Sequence, residues 1–206
     1  MQTIYTAGLA SILLVASLAV TRAQDLMVMH QDRYYIGFEV DLFGLFSVDG
    51  QFQKASGTMR YDQANPAASN VHITVQTASI DTNLPIRDDE LRSVSFFDVK
   101  NHPTMVFESL ETVVKGDASG TVIGKLTIKG ITNKVALHVK ARDRKPDPTT
   151  SGKGSFVTSF EASGMLRPAD FGLRGGDARL TLRADFVKCA GKVRAEPACQ
   201  ASTQVR

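Results

Sequence analysis

The chain has 206 residues, of which 43% are hydrophobic and 22% are charged. These proportions are typical of one globular domain, or at most two small ones, and they exclude a disordered chain and a polytopic membrane protein. The formal net charge of +3 is too small for a protein that neutralises many phosphates, which excludes nucleic acid as the partner.

Residues 1–23 have the composition of a secretory signal peptide. No charged side chain occurs at positions 1–21, and Ile4–Val20 is rich in Leu, Ile, Val and Ala. Thr21-Arg22-Ala23 has a small residue at each end, as a cleavage site requires. We therefore expect cleavage after Ala23 and a periplasmic or secreted protein. The alternative is an uncleaved anchor, because the apolar run is about long enough to span a bilayer.

Apolar and polar residues alternate in many segments of the chain that follows. The clearest are Ile36–Asp41, Val71–Thr77, Val122–Ile128, Val135–Lys140, Phe156–Ala162 and Leu180–Phe186. A period of two with one polar face indicates antiparallel strands that cover a single interior. About eight such strands predict an all-β fold, a single antiparallel β-barrel over residues 24–188, because closure removes the sheet edges.

Turn residues separate these strands. They include Asp49-Gly50, Gly130–Asn133 and the long segment Asp143–Gly154, which we interpret as a hairpin tip. Only Ile86–Val99 has helical spacing, with an acidic first turn that favours a helix start. Its apolar residues at this spacing are Leu91, Val94 and Phe97. We expect this short helical segment to cover one end of the barrel.

The C-terminal tail, residues 189–206, carries the only two cysteines, Cys189 and Cys199. In an oxidising compartment they are expected to form a disulfide. The short loop between them would contribute roughly 2–3 kcal/mol of stability. The alternative is a pair of free thiols, since a zinc site would require His partners that are not nearby.

The sequence lacks the motifs of common catalytic and nucleotide-binding sites. It contains no G-x-S-x-G, no G-x-G-x-x-G and no Walker loop. The four histidines are scattered, and His72 and His138 fall on the predicted solvent faces of their strands. We therefore predict no catalytic residue, no metal site and no cofactor.

The densest polar cluster is Ser79–Asn83 followed by Arg87–Arg92. Carboxylates in such a cluster could act as general acid and base. The structural alternative is that acids and serine cap the helix start while the arginines pair with acids along it. Asp81, Arg87 and Arg92 are accordingly candidates either for contact with a ligand's polar head or for bracing the helix.

The 11 phenylalanines fall mostly at predicted inward positions or in the helical segment. Inward phenylalanines are normally plain core, but an eight-stranded barrel is just wide enough to hold one ligand. Ligand sites of this kind are mostly apolar with a few polar groups. The pattern alone leaves a ligand cavity and a filled core equally open.

Several spaced motifs occur in one order along the chain. They are Ser79-Ile80-Asp81-Thr82, Arg87-Asp88-x-x-Leu91-Arg92-Ser93, Phe96-Phe97-Asp98-Val99, Phe107-x-Ser109, Gly124-x-Leu126-Thr127-Ile128-x-Gly130 and Asp170-Phe171-Gly172. Together they resemble the YceI-like family of secreted bacterial polyisoprenoid-binding proteins. The resemblance runs from about residue 27 to residue 187. It departs from the family at Arg33-Tyr34 and Leu42, where a His-Ser pair and a His are usual, and at Pro168, where an Arg is usual.

The resemblance implies a lipocalin-like barrel that holds a long isoprenoid chain, such as a polyprenyl or quinone-like lipid, as an exported carrier. The predicted ligand-binding residues are Phe38, Val40, Val75, Phe107, Leu126, Ile128, Leu137 and Phe160 in the wall, and Phe96 and Phe97 over one end. It is compatible with a homodimer and with transient contact with a membrane or membrane protein for lipid exchange. The alternatives are an enzyme acting on a lipidic substrate at the barrel mouth, and a secreted interaction protein with a filled barrel.

Overall fold

The computed structural model describes residues 24–42, 46–116, 118–146, 156–189 and 199–200. The predicted signal peptide, most of the hairpin tip at 143–154 and most of the C-terminal tail lie outside these residues. The strands are β1 (Asp25–Leu42), β2 (Phe46–Phe52), β3 (Ala55–Tyr61), β4 (Asn70–Gln76), β5 (Ile80–Asp81), β6 (Thr104–Val114), β7 (Ser119–Ile128), β8 (Ile131–Pro146), β9 (Phe156–Leu166) and β10 (Ala178–Lys188). The α-helix α1 (Pro85–Arg92) lies between β5 and β6, Cys199 and Gln200 are also helical, and short 3-10 turns cover Pro66–Ala68, Thr77–Ser79 and Pro168–Phe171.

The strands form one closed antiparallel barrel. Their order is β10-β9-β8-β7-β6-β4-β3-β1-β2-β5, and β10 also pairs with β1, which closes the sheet. β2 and β3 both pair with β1, while β5 pairs with β2 and β4 pairs with β3. β2 with β3, and β4 with β5, therefore each make one broken strand, so ten strands occupy eight positions around the barrel. The predicted antiparallel barrel of about eight strands is confirmed.

The alternation predicted from the sequence matches the two faces of the strands. Along β4, Ile73 and Val75 are buried while His72 is exposed, and on β8 His138 is also exposed. The predicted solvent positions of both histidines are therefore confirmed. Apolar side chains on the inner face remove their surface from water at roughly 25 cal/mol per Å², the main stabilisation of such a barrel.

The predicted turn at Asp49-Gly50 is wrong, because both residues lie inside β2. Gly50 is opposite Phe38 of β1 in the strand pairing. A Cβ at Gly50 would overlap the Phe38 ring, so the glycine makes room for this inward ring rather than for a turn. The chain instead bends at Gln53 and Lys54, between β2 and β3.

The helical segment is shorter than predicted. α1 ends at Arg92, and Ser93 turns extended while its N–H donates to the Glu90 carbonyl at 3.0 Å. The chain then folds back, with the Phe97 N–H donating to the Leu91 carbonyl at 3.0 Å. Val94 is consequently 70% exposed, against its predicted place on the apolar helix face.

The barrel has two ends that differ in their cover. We call one the helix end, because α1 lies there. This end also carries the segment 93–103, the turn at 129–130 and the segment 167–177. The other, the disulfide end, carries the turns after β3 and β6 and the Cys189–Cys199 disulfide, whose Cα atoms are 5.8 Å apart. The predicted disulfide is thus present. No helix of the described residues is long and apolar enough to cross a membrane.

Candidate functional site

The barrel encloses a cavity of about 320 Å³ that runs between its two ends. This volume lies within the range of small-molecule sites in proteins, roughly 300–1,000 Å³. All eight barrel positions contribute lining side chains. The structure brings to this cavity all ten predicted apolar residues: Phe38, Val40, Val75, Phe96, Phe97, Phe107, Leu126, Ile128, Leu137 and Phe160. Their contact with a ligand stays a prediction.

Part of the interior is filled by the protein itself. Met27, Met29, Met59, Ala184 and Phe186 form a buried cluster between β1, β3 and β10. Methionine suits this place because its unbranched, flexible chain fills irregular gaps. The cavity passes beside this cluster. The protein's own side chains therefore fill only one part of the barrel interior.

Aromatic rings shape the cavity wall. At the helix end, Phe97 meets Phe52 edge-on with ring centroids 5.7 Å apart, and Phe52 lies 5.8 Å from Phe38. Beside the methionine cluster, Phe160 is edge-on to Tyr61 at 5.6 Å. Tilted and edge-to-face pairs at these distances stabilise each other beyond simple burial, so the wall is held in defined positions.

Arg87 and Arg92 do not line the cavity. The Arg87 guanidinium donates to the Thr82 hydroxyl at 2.8 Å and to the Thr82 carbonyl at 2.7 Å. Arg92 donates to the carbonyls of Ala78 at 3.0 Å and Ile80 at 2.6 Å. Both side chains therefore tie α1 to the segment before it, which is the bracing role left open by the sequence.

Asp81 also lies outside the cavity lining. One carboxylate oxygen accepts the Gln53 amide at 2.6 Å, and the other accepts the Asn83 N–H at 2.9 Å. Asn83 has a φ of 60°, and this hydrogen bond supports the turn it makes into α1. As with the two arginines, the hydrogen bonds of Asp81 give it a structural contact.

Polar groups are few and lie toward the ends of the cavity. Ser69, Asn70, Ser109 and Ser119 line it toward the disulfide end. The Ser109 hydroxyl accepts the Val71 N–H at 2.8 Å, which leaves its proton free to donate. These neutral groups were not predicted, because the alternation marks inward positions by apolar side chains, and a serine or asparagine at such a position breaks the pattern.

The lining toward the helix end contains Pro168 and Arg174. Pro168 is one of the positions at which the sequence departs from the family resemblance, so that departure reaches the cavity. Arg174 is the only charged residue among the lining residues that the structure describes. The sequence did not single it out, because a turn residue has no periodicity that marks it as inward.

Two of the other departures, Tyr34 and Arg33, make contacts away from the cavity. The Tyr34 hydroxyl donates to the Gln53 carbonyl at 2.8 Å and accepts the Ala55 N–H at 2.9 Å, which fastens the bend between β2 and β3. Arg33 lies 3.5 Å from the Asp185 carboxylate. The side chain of Leu42 is outside the described residues.

The outside of β8, β9 and β10 is charged, in contrast with the interior. Glu161 pairs with Arg142 and, at 3.5 Å, with Arg183. The hydrogen bond from Arg142 and its positive charge, followed by those of Arg183, hold the pKa of the Glu161 carboxyl below its usual value. Within the described part of the chain, no group of three or more His, Cys, Asp or Glu side chains is arranged to hold a metal ion.

Comparison with known proteins identifies the family. The model of the YceI-like domain matches residues 28–196. A UPF0312 protein of Pseudomonas aeruginosa (strain LESB58) is 33% identical over 174 residues, which are 84% of this chain and 87% of that protein. A UPF0312 protein of Photorhabdus laumondii is 31% identical over 182 residues, 88% of this chain and 91% of that protein.

Solved structures share the fold at lower identity. BcnA of Burkholderia cenocepacia superposes with a TM-score of 0.67 at 19% identity, covering 76% of this chain and 98% of that one. A polyisoprenoid binding domain from Saccharophagus degradans has a TM-score of 0.54 at 10% identity, covering 80% of this chain and 99% of the domain. The family match, the curated relatives and the barrel agree, and the chain belongs to the YceI-like family.

Proposed function

We propose that the protein binds and carries a long apolar lipid of the isoprenoid type, polyprenyl or quinone-like, inside its barrel. The observation that carries this proposal is the cavity itself, which is lined by apolar side chains from all eight barrel positions. A core that only had to stabilise the fold would be packed without such a space, because each void of this kind costs stability.

The chemistry of the lining suits a hydrocarbon chain. Phe107, Leu126 and Leu137 face the cavity from three adjacent strands and present no polar atom that a lipid tail would leave unpaired. Burial of such a tail contributes roughly 0.8 kcal/mol per CH₂-sized group. A chain with many such groups can therefore bind tightly after the ordering costs of association.

The comparisons support the ligand class. The Saccharophagus degradans domain is described as a polyisoprenoid binding domain, and its shared fold provides the same kind of barrel. We carry this ligand class over to the present protein as a proposal, with a non-enzymatic role. Among the lining residues that the structure describes there is no His, Cys, Asp or Glu, so these residues offer no nucleophile and base pair for an enzyme mechanism.

Export is part of the proposal. The Cys189–Cys199 disulfide supports an oxidising compartment such as the periplasm, where disulfides persist. We propose cleavage after Ala23 and lipid exchange with a membrane or membrane protein. Edman sequencing of the protein purified from the native host tests the cleavage: an N-terminus at Gln24 is expected, and retention of Met1 would contradict it.

Mass spectrometry of an organic extract from the purified native protein tests the ligand proposal. We expect a stoichiometric prenyl lipid or quinone from the wild type. Leu137→Trp places a large ring into the cavity, and its extract should therefore contain much less lipid than that of the wild type. The matched control Val113→Trp puts the same ring on the outer face of β6, where Val113 is 38% exposed, and should retain the lipid. An empty wild-type extract, or equal lipid in both variants, would contradict the proposal.

A further inference from the structure

Arg174 stands alone in the cavity lining. The other lining residues that the structure describes are apolar or neutral, and Arg174 is exposed. Among the described residues it has no hydrogen bond or ion pair. The neighbouring Arg167, by contrast, is 3.4 Å from Asp170. A guanidinium at the rim of an apolar tunnel thus has its five donors available.

The loop that carries Arg174 is fixed on both sides. Leu173, which precedes it, is 8% exposed and belongs to the main core cluster. Gly176, which follows two positions later, lies so close to the Asp41 carbonyl that a Cβ would be 2.5 Å from the oxygen. Arg174 therefore belongs to an anchored segment rather than to a free loop.

There is also room beside Arg174. Gly175 has a φ of 128°, and a Cβ built there would meet nothing within 4 Å. The positive φ favours glycine, and no atom beyond the two chain neighbours fills the space on this side of the backbone next to Arg174. The backbone next to Arg174 therefore leaves open space at the helix end of the cavity.

From this geometry we infer that the ligand is an anionic amphiphile whose phosphate or carboxylate head is bound by Arg174 at the helix end, while its tail runs through the barrel toward the disulfide end. This inference rests on the proposed lipid-binding function. Arginine forms paired hydrogen bonds with phosphate and carboxylate. A neutral head could accept only an ordinary hydrogen bond from this cation, whereas an anionic head would form stronger charge-assisted bonds and be neutralised as its tail enters the apolar interior.

The polar residues that line the cavity toward the disulfide end are neutral: Ser69, Asn70 and Ser109. They would suit a hydroxyl or quinone oxygen better than an anion. The two ends of the cavity therefore offer different head chemistry. The choice between them is measurable with ligands that share one tail.

Equilibrium dialysis with farnesyl phosphate and farnesol makes this comparison at two salt concentrations. The wild type should bind farnesyl phosphate about tenfold to a hundredfold more tightly than farnesol, the range expected of charge-assisted hydrogen bonds. Arg174→Gln should bring the ratio of the two affinities close to one by weakening farnesyl phosphate far more than farnesol, while Arg174→Lys should restore part of the preference. A higher salt concentration should weaken the binding of farnesyl phosphate and leave the affinity for farnesol nearly the same. Palmitate distinguishes the head groups: the anion that loses more affinity in Arg174→Gln is the preferred one.

The matched control is Arg167→Gln, which removes the same charge from the same rim at a side chain that does not line the cavity. It should keep the preference for the anion. Equal affinity of the wild type for farnesyl phosphate and farnesol would overturn the inference and leave lipid binding intact. An equal loss in Arg167→Gln and Arg174→Gln would also overturn it. Failure of the wild type to bind any of the probes would overturn the proposed function as well.

Discussion

Thr82 donates twice to one carboxylate oxygen of Asp88. Its backbone N–H lies 2.9 Å and its hydroxyl 2.5 Å from Oδ1. Thr82 is 3% and Asp88 6% exposed, so these bonds are shielded from water. The Thr82 hydroxyl also accepts a hydrogen bond from the Arg87 guanidinium. Together Thr82, Arg87 and Asp88 join α1 to the segment that follows β5.

The Thr82–Asp88 contact predicts a large effect of one acid and a small effect of its neighbour. Asp88→Ala leaves two buried donors without an acceptor, so we expect a loss of about 2–3 kcal/mol in the free energy of unfolding. Asp89→Ala is the control: Asp89 is 80% exposed, and the change should be within about 0.5 kcal/mol. Urea unfolding measures both, and equal midpoints for the two variants would contradict the assignment.

Two adjacent tyrosines should also differ in their contribution to stability. Tyr34→Phe removes both hydrogen bonds that fasten the bend between β2 and β3, and we expect a loss of about 1–2 kcal/mol. Tyr35 is 39% exposed, with Arg183 5.8 Å from its ring centroid. Tyr35→Phe keeps that ring and should be nearly neutral. Thermal unfolding compares them, and a neutral Tyr34→Phe would show that the bend does not depend on the hydroxyl.

The disulfide should stabilise the disulfide end of the barrel. It closes a loop between residues separated by 10 positions, for which chain entropy predicts about 2–3 kcal/mol. The double variant Cys189→Ser with Cys199→Ser should therefore unfold at lower urea concentration than the wild type. A reducing agent should shift the wild type in the same direction and leave the double variant unchanged. An identical midpoint for oxidised and reduced wild type would contradict this prediction.

Glu161 should titrate at lower pH than an ordinary glutamate, because Arg142 and then Arg183 favour its charged form. A lowered folded-state pKa contributes stability above the unfolded pKa, and that contribution is lost as pH falls through the folded pKa. NMR titration of the Glu161 carboxyl measures the midpoint. Arg142→Gln should raise it, whereas Arg179→Gln, which removes a partner of Glu39, should not. An unchanged midpoint in Arg142→Gln would contradict the assigned cause.

The barrel could be predicted from sequence because its strands alternate strictly. Ile73 and Val75 face inward and His72 outward, and the same period placed Leu126, Leu137 and Phe160 on the wall that now lines the cavity. The predictions were wrong where the same residue type can serve either a turn or the packing of a neighbour. Asp49-Gly50 has the composition of a turn, but the glycine serves the packing of the Phe38 ring.

The polar part of the site could not be predicted in the same way. Arg87 and Arg92 have the composition of a binding cluster, yet backbone carbonyls take up their donors. Arg174 stands in a turn between strands, where no period indicates direction, and only the closed barrel brings it to the cavity rim. Whether a charge meets a backbone carbonyl or an open cavity depends on contacts between distant segments.

Photo-crosslinking tests most directly whether a lipid lies inside the barrel. The protein would be incubated with a farnesol analogue that carries a diazirine near the end of its tail, and the mixture would be irradiated. Peptide mass spectrometry would then identify the labelled residues. We predict labels on the cavity wall, at Phe107, Leu126 and Leu137, and their loss when unlabelled farnesol competes. Labels confined to outward positions such as Val113 and Ile123, with no effect of the competitor, would contradict a lipid-filled barrel.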